Sequence, residues 1–369
     1  MHDGPLPVER VTTVTSLAVR NFRNLEQLEL RPAPGGLTVI RGDNGAGKTS
    51  LLEAISYCSS LKSFRGVQRD ALLKDGEDEA RVACQLLQGS RRLDIEVRLE
   101  AGRRDLAMLN RQRVASAKDL IEVLKTTLFT PDDLDLVKGS PAGRRDLLDD
   151  AILATAPRLA AERAALERIL RQRNALLRQL GGRLPAEAVL TLDVWDERLA
   201  TTGERVARSR EDLVAALSPY AAAAWAALAS PAGALELYYR RSFSGPLAEA
   251  IAASRQEDLR RQVTTVGPQR DELEIHAGGL DSRTRLSQGR QRAVALALRL
   301  GIHRYVSEVT GSTPVLLLDD AFSELDERTS RALVAELPRG QALLTTAGEL
   351  PPGASPDLVV EISAGRLLP

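Results

Sequence analysis

The run Gly42-Asp43-Asn44-Gly45-Ala46-Gly47-Lys48-Thr49 has the residue types and spacing of a phosphate cradle. Its glycines allow backbone conformations that a side chain would block, so successive N–H groups can converge on an anion. Lys48 then stands as a point charge within reach of the β- and γ-oxygens of a nucleoside triphosphate, and Thr49 offers a hydroxyl to Mg2+. A second segment, Val315-Leu316-Leu317-Leu318, closes in Asp319-Asp320. Asp319 is the candidate Mg2+ ligand, directly or through water, and Asp320 the candidate to position an attacking water. In the third, Leu286-Ser287-Gln288-Gly289, a serine hydroxyl and a glycine amide precede a helical run, the ingredients of a second anion site. Taken singly, Ser287 reads more readily as the N-cap of a core helix, and Asp-Asp as the opening of an ordinary turn or helix cap. Together the three segments point to ATP and Mg2+ as ligands, and a second phosphate reader is explained if two copies of the chain share each nucleotide.

Such a site needs particular elements around it. Leu37-Thr38-Val39-Ile40 reads as the strand before the cradle and Ser50–Ile55 as the helix after it, the context the motif requires. Val315–Leu318 reads as a strand buried on both faces, delivering Asp319 to the carboxyl end of a sheet, where open α/β folds bind ligands. Arg290–Arg299 carries a broad apolar helical face through Ala293, Val294, Leu296, Ala297 and Leu298. Ala80–Leu86 and Arg91–Leu99 read as strands. From Pro141 to Leu228 the pattern is helical, broken at Gly181-Gly182 and Pro185, with Leu192, Leu199, Val206 and Leu213 seven residues apart. Two antiparallel helices joined near Gly181-Gly182 fit this best. Strand character returns at Ala234–Tyr239, then at Gln341–Thr345 and Asp357–Ile362. The fold class expected is α/β, with residues 1–135 and 262–369 forming the nucleotide-binding domain and 136–261 an inserted, mainly helical lobe.

Composition bounds the partners. The 369 residues, 43% of them apolar, suffice for two domains with a real core. Lys+Arg and Asp+Glu number 50 each, so net charge offers no argument for nucleic acid and any contact must be local. The densest local signal is Arg158, Arg163, Arg168, Arg171, Arg173, Arg178 and Arg183, set against only Glu162 and Glu167 in that segment. Such a stripe either neutralises phosphates or is simply a solvated helix face. Aromatics at 3% argue against a platform that stacks single-stranded bases. Cys58 and Cys84, with His2, His276 and His303, give neither a disulfide framework nor zinc spacing. No apolar run approaches a membrane span and Met1–Glu9 lacks a leader pattern, so a cytosolic chain with no membrane partner is expected.

In order along the chain, the cradle, Ser-x-Gly turn, acid pair and Ser323-Glu324-Leu325-Asp326 resemble the ATP-binding-cassette class, in its chromosome-maintenance branch. Further segments resemble the RecF family of bacterial recombination mediators: Leu17–Leu25, Lys62-Ser63-Phe64-Arg65, Phe129–Leu134, Val137–Pro141 with Arg144-Arg145, and Gly267-Pro268-Gln269-Arg270-Asp271. The resemblance runs from about Leu17 to Ile362. It implies an ABC-type P-loop ATPase head and a weak, DNA-stimulated ATPase. It also implies an ATP-dependent head-to-tail homodimer, in which the cradle residues Gly42 to Thr49 of one chain and Ser287 and Gly289 of the other grip each nucleotide. The implied partners are double-stranded or gapped DNA, RecO and RecR, in loading recombinase during replication and repair. Ser287 and Asp320 would be the catalytic residues and Thr49 and Asp319 the metal ligands. Gln269 stands where the family usually has histidine, and no proton transfer is assigned to it. Transporter cassettes have Glu in place of Asp320 and a histidine where Thr345-Thr346-Ala347 stands; RecF-like chains share both departures, which suggest slow hydrolysis. A transporter subunit would need a far shorter stretch between cradle and Ser287. A non-hydrolysing scaffold is the other alternative, and phosphate release separates it from the ATPase.

Overall fold

The computed structural model describes residues 11–114, 116–228, 233–337 and 340–368; Met1–Glu9, including His2, lie outside them. The chain divides into two compact units, one of residues 1–133, 223–231 and 295–369, the other of residues 134–222 and 232–294. The first unit opens with β1 (Thr12–Phe22), β2 (Leu25–Leu30), β3 (Gly36–Arg41), α1 (Lys48–Ser60), β4 (Glu79–Gln88), β5 (Arg91–Glu100), β6 (Leu106–Leu109), β7 (Gln112–Arg113), α2 (Ala117–Val123) and β8 (Thr126–Phe129). The second unit holds α3 (Leu134–Lys138), α4 (Pro141–Thr155), α5 (Ala160–Leu180), most of α6 (Ala186–Leu228), β9 (Leu235–Arg240), α7 (Leu247–Arg261), β10 (Glu272–Ala277), β11 (Leu280–Asp281) and α8 (Ser282–Arg285). Helix α9 (Gln288–Thr310) leads back to the first unit, which ends with β12 (Val315–Asp319), α10 (Glu327–Ala335), β13 (Gln341–Thr346), β14 (Leu358–Ser363) and β15 (Arg366–Leu367).

Two six-stranded sheets build the first unit. One, in the order β2-β1-β4-β5-β6-β7, is antiparallel; the other, β15-β14-β3-β13-β12-β8, is parallel except for the β14–β15 pair. Helix α1 lies between them, contacting β1, β4 and β5 on one side and β8, β12 and β13 on the other. Its Leu51, Leu52, Ile55 and Cys58 are fully buried in one core with Leu17, Val82 and Ile95 of the antiparallel sheet and Ile40, Leu317 and Leu343 of the parallel one. A helix wrapped on both sides has to be apolar around most of its girth, which is why residues 50–59 carry so few charges. Strand β12 is buried at every position because its neighbours β8 and β13 pair with both edges and layers cover both faces. The expected strands at Ala80–Leu86 and Arg91–Leu99 are β4 and β5, which alternate buried and exposed residues because only one face meets the core.

In the second unit α5 and α6 run antiparallel around the Gly181-Gly182 break, with Leu177 packed near Leu192 and Leu166 and Ile169 near Leu199 and Val206. Helix α7, which the sequence patterning left unread, fills the same core through Leu247, Ile251 and Leu259. A three-stranded sheet, β11-β10-β9, completes this unit.

The arginine stripe is not a single solvated face. Arg173 is completely buried and donates to Asp196, Asp258 and Thr264 at 2.7, 2.7 and 2.9 Å. Arg163 lies among Asp146, Asp149, Asp150 and Glu167. Arg173 points inward because helical period brings every third or fourth residue onto the packed face, where an arginine persists only with carboxylate partners, whereas Arg163 is half-buried at the rim. Among the described residues, no helix is long and apolar enough to cross a membrane.

Candidate functional site

The cradle is the link from β3 to α1. Gly42 donates its N–H to Thr346 O at 3.2 Å, and a Cβ there would lie 2.2 Å from the Ile362 carbonyl oxygen, so backbone proximity requires glycine. Gly47 adopts φ +111°, outside the reach of ordinary L-residues. Between them Asp43 accepts from the Ala46 N–H at 3.1 Å, Asn44 lines the cavity described below, and Gly45 O accepts from Asn24 Nδ2 at 2.8 Å. Lys48 is buried, its ammonium donating to Gly42 O at 2.6 Å and Asp43 O at 2.9 Å. It is thus folded over the loop that it must serve.

Thr49 and Asp319 meet across the unit. The Thr49 hydroxyl donates to Asp319 Oδ1 at 2.9 Å and the Thr345 hydroxyl to the same oxygen at 2.7 Å. Burial raises the Asp319 carboxyl above the usual carboxylate range and the neighbouring Asp320 adds to this, while the two hydroxyls oppose it. Asp320 takes φ +47°, a left-handed conformation that Asp tolerates, and its N–H points at Thr345 O and Oγ1 at 3.2 and 3.0 Å. Parallel pairing of β12 with β13 sets Asp319 opposite Thr345, so Thr345 holds the Asp319 carboxylate and the Asp320 backbone together at the strand end. Asn44, Lys48, Thr49, Asp319, Asp320 and Arg65 line one cavity of about 730 Å3.

Sequence reasoning missed the bolts behind the cradle. Arg23, at φ +56°, grips Glu53 of α1 with two hydrogen bonds of 2.8 and 3.0 Å, and Ser63 donates to the same carboxylate at 2.5 Å. Asn24 accepts from Ser50 at 2.8 Å while holding Gly45 O. The available signal was Glu53 itself: a carboxylate inside the buried run Leu51–Ile55 must find a cation.

Ser287 and Gly289 belong to the second unit, at the start of α9, and both are exposed. Nothing lies within 4 Å of a Cβ built on Gly289, so this helix end presents an open surface. Gln269, in the place of the family's histidine, turns back on its own segment and donates to Val266 O at 2.8 Å.

Among the described residues no group of three His, Cys, Asp or Glu side chains gathers to hold a metal. A divalent ion at the cradle would therefore lean on Thr49, Asp319 and phosphate oxygens. The donors present, a hydroxyl and a carboxylate side by side, are the hard oxygens that Mg2+ prefers.

Known proteins share this architecture. The RecF/RecN/SMC N terminal domain matches residues 13–344. The DNA replication and repair protein RecF of Streptomyces avermitilis is 39% identical over 350 residues, covering 90% of this chain and 93% of that protein. RecF of Frankia alni is 39% identical over 356 residues, covering 91% and 93%. Among solved structures, the recombination mediator protein RecF-ATP in the RecFOR pathway is similar with a TM-score of 0.89 at 28% identity, over 100% of this chain and 99% of that one. The Smc head domain of Pyrococcus furiosus with an extended coiled coil is similar in fold alone, with a TM-score of 0.58 at 18% identity, over 97% and 95%. The two-sheet head with its helical insertion is accordingly an ABC-type ATPase fold, and the chain belongs to the RecF family of DNA replication and repair proteins.

Proposed function

We propose that this protein is an ATP-dependent DNA clamp of the cytosol, whose two copies close head to tail around two nucleotides. The observation that carries the reading is the convergence of Lys48, Thr49, Asp319 and Asp320 on one cavity, in a chain 28% identical to a RecF solved with ATP. Lys48 would exchange its loop carbonyls for β- and γ-phosphate oxygens, and the N-terminal end of α1 would add its dipole. Mg2+ between Thr49 and Asp319 would neutralise charge developing on those oxygens. The Asp320 carboxylate would orient the attacking water. Being one methylene shorter than glutamate, it makes turnover slow. Ser287 and Gly289 of the second protomer would close over the γ-phosphate, so catalysis awaits dimerisation.

Closure would assemble the DNA-binding surface, and hydrolysis would release it. We assign to the clamp duplex or gapped DNA and the proteins RecO and RecR, for loading recombinase, on the strength of RecF relatives placed in the RecFOR pathway. Phosphate release measured with and without duplex tests the assignment. The unmodified protein should turn over slowly and faster with DNA; Asp320→Asn should keep nucleotide binding yet lose about 10²-fold or more in turnover. Lys48→Met should lose binding outright. Absence of turnover under every condition would leave only a nucleotide-stabilised scaffold.

A further inference from the structure

Helix α5 sorts its arginines into two classes. Arg163 and Arg173 are committed to carboxylates, as described above. Arg168, Arg171 and Arg178 are exposed and make no ion pair among the described residues. They lie along one side of the helix with exposed Gln172, Ala175 and Gln179, and Arg183, also exposed, follows in the turn after the helix end. From Arg168 to Arg178 the helix rises about 15 Å.

This face lacks the counter-charges that accompany the arginines of α7 and α10. Residues 168–183 contain no Asp or Glu. On α7, by contrast, Glu257 holds both Arg260 and Arg261, and on α10 Glu327 holds Arg331. Glu167, four residues before Arg171, is taken up by Arg163 and Glu162 by Arg205, while Asp196 and Asp258 are engaged by Arg173 and Asp193 by Arg255. Leaving like charges in line on one helix face costs stability in the free protein, a cost an anionic partner would relieve. The polar neighbours, two glutamines and a small residue, suit a hydrated phosphate backbone and offer nothing for a base stack.

We propose that the outer face of α5, through Arg168, Arg171 and Arg178 with Arg183, binds the phosphate backbone of duplex DNA. The inference rests on the clamp reading above and supplies the residues that reading lacked. Contact is sequence-independent, since guanidinium groups on an open helix face meet phosphates before base edges. Arg173 serves this surface only from behind, by fixing the helix.

The test compares unmodified protein with the triple variant R168Q/R171Q/R178Q, each with ATP and Mg2+, binding a labelled duplex across a salt series. All three substitutions are exposed and helix-compatible, so ATP-driven dimerisation should not change and the unfolding midpoint should hold or rise slightly as the like charges are removed. Duplex affinity should fall at least about tenfold, and the slope of log affinity against log salt should become shallower by about 2.7 if three phosphate contacts are lost. A triple variant with unchanged affinity and slope overturns the inference and leaves the clamp intact. Unchanged duplex binding with lost binding of a poly-glutamate peptide overturns it in favour of an acidic protein partner. Failure of the unmodified protein to bind duplex removes the clamp reading and this inference together.

Discussion

Thr345 shows how much a single hydroxyl can organise at the end of a strand. It donates to Asp319 and receives the Asp320 N–H, so two neighbouring acids are held in fixed, different surroundings: one buried against Thr49, the other turned out in a left-handed conformation. The sequence supplied Asp319, Asp320 and the cradle because their spacing is local. It could not supply the Thr345 contact, which joins residues 26 apart through parallel strand pairing. His303 raises a separate matter of stability. It is buried on α9 with Nδ1 3.0 Å from the Thr127 hydroxyl, and burial, with some help from Arg304, brings its pKa from 6.5 down to about 4. The unfolded chain thus binds a proton that the folded chain refuses, so this contribution is complete above pH 6.5 and declines as pH falls towards 4. Between pH 7 and pH 5 it should remove about 2 kcal/mol of stability. Denaturant midpoints across that range should show a shallower pH slope for H303L than for unmodified protein; equal slopes would mean that His303 is already accessible to protons.

Among the elements, the clearest lesson lies in α5. Its apolar stripe was visible as a periodicity, and Leu166, Ile169 and Leu177 are buried where that periodicity puts them. Its charged residues were not separable by the same reasoning, since nothing local marks Arg173 as interior. Only α7, folding in from residues 247–261, brings Asp258 to it. Likewise β4 and β5 were legible from their alternation, whereas the β1–β4 pairing that joins the hairpins β1–β2 and β4–β5 into one sheet links residues far apart in the chain. The Arg173 cluster ties α5, α6 and α7 through charges with almost no exposure, so deleting the cation leaves Asp258 buried and unpaired. R173L should destabilise the protein by about 3–5 kcal/mol, read from urea unfolding. A loss below 1 kcal/mol would show that water or a shift of α7 rescues the carboxylates.

For the molecule as a whole, the two proposed kinds of phosphate reader fall in different units: the cradle, Thr49 and Asp319 in one, Ser287 and Gly289 in the other. Both were proposed from sequence, because each is a short run whose chemistry is carried by neighbours in the chain. How two copies would bring them together, as proposed, is a property of the assembly, and no pattern within one chain encodes it directly. Ser287 and Gly289 are exposed at a helix start, which suits residues that complete their site only on another molecule. Light scattering with and without saturating ATP and Mg2+ gives the mass in solution. The unmodified protein should double its mass with nucleotide, while S287R, still binding ATP, should remain a single chain. An unmodified protein that stays at the mass of one chain in saturating ATP and Mg2+ would contradict the shared site.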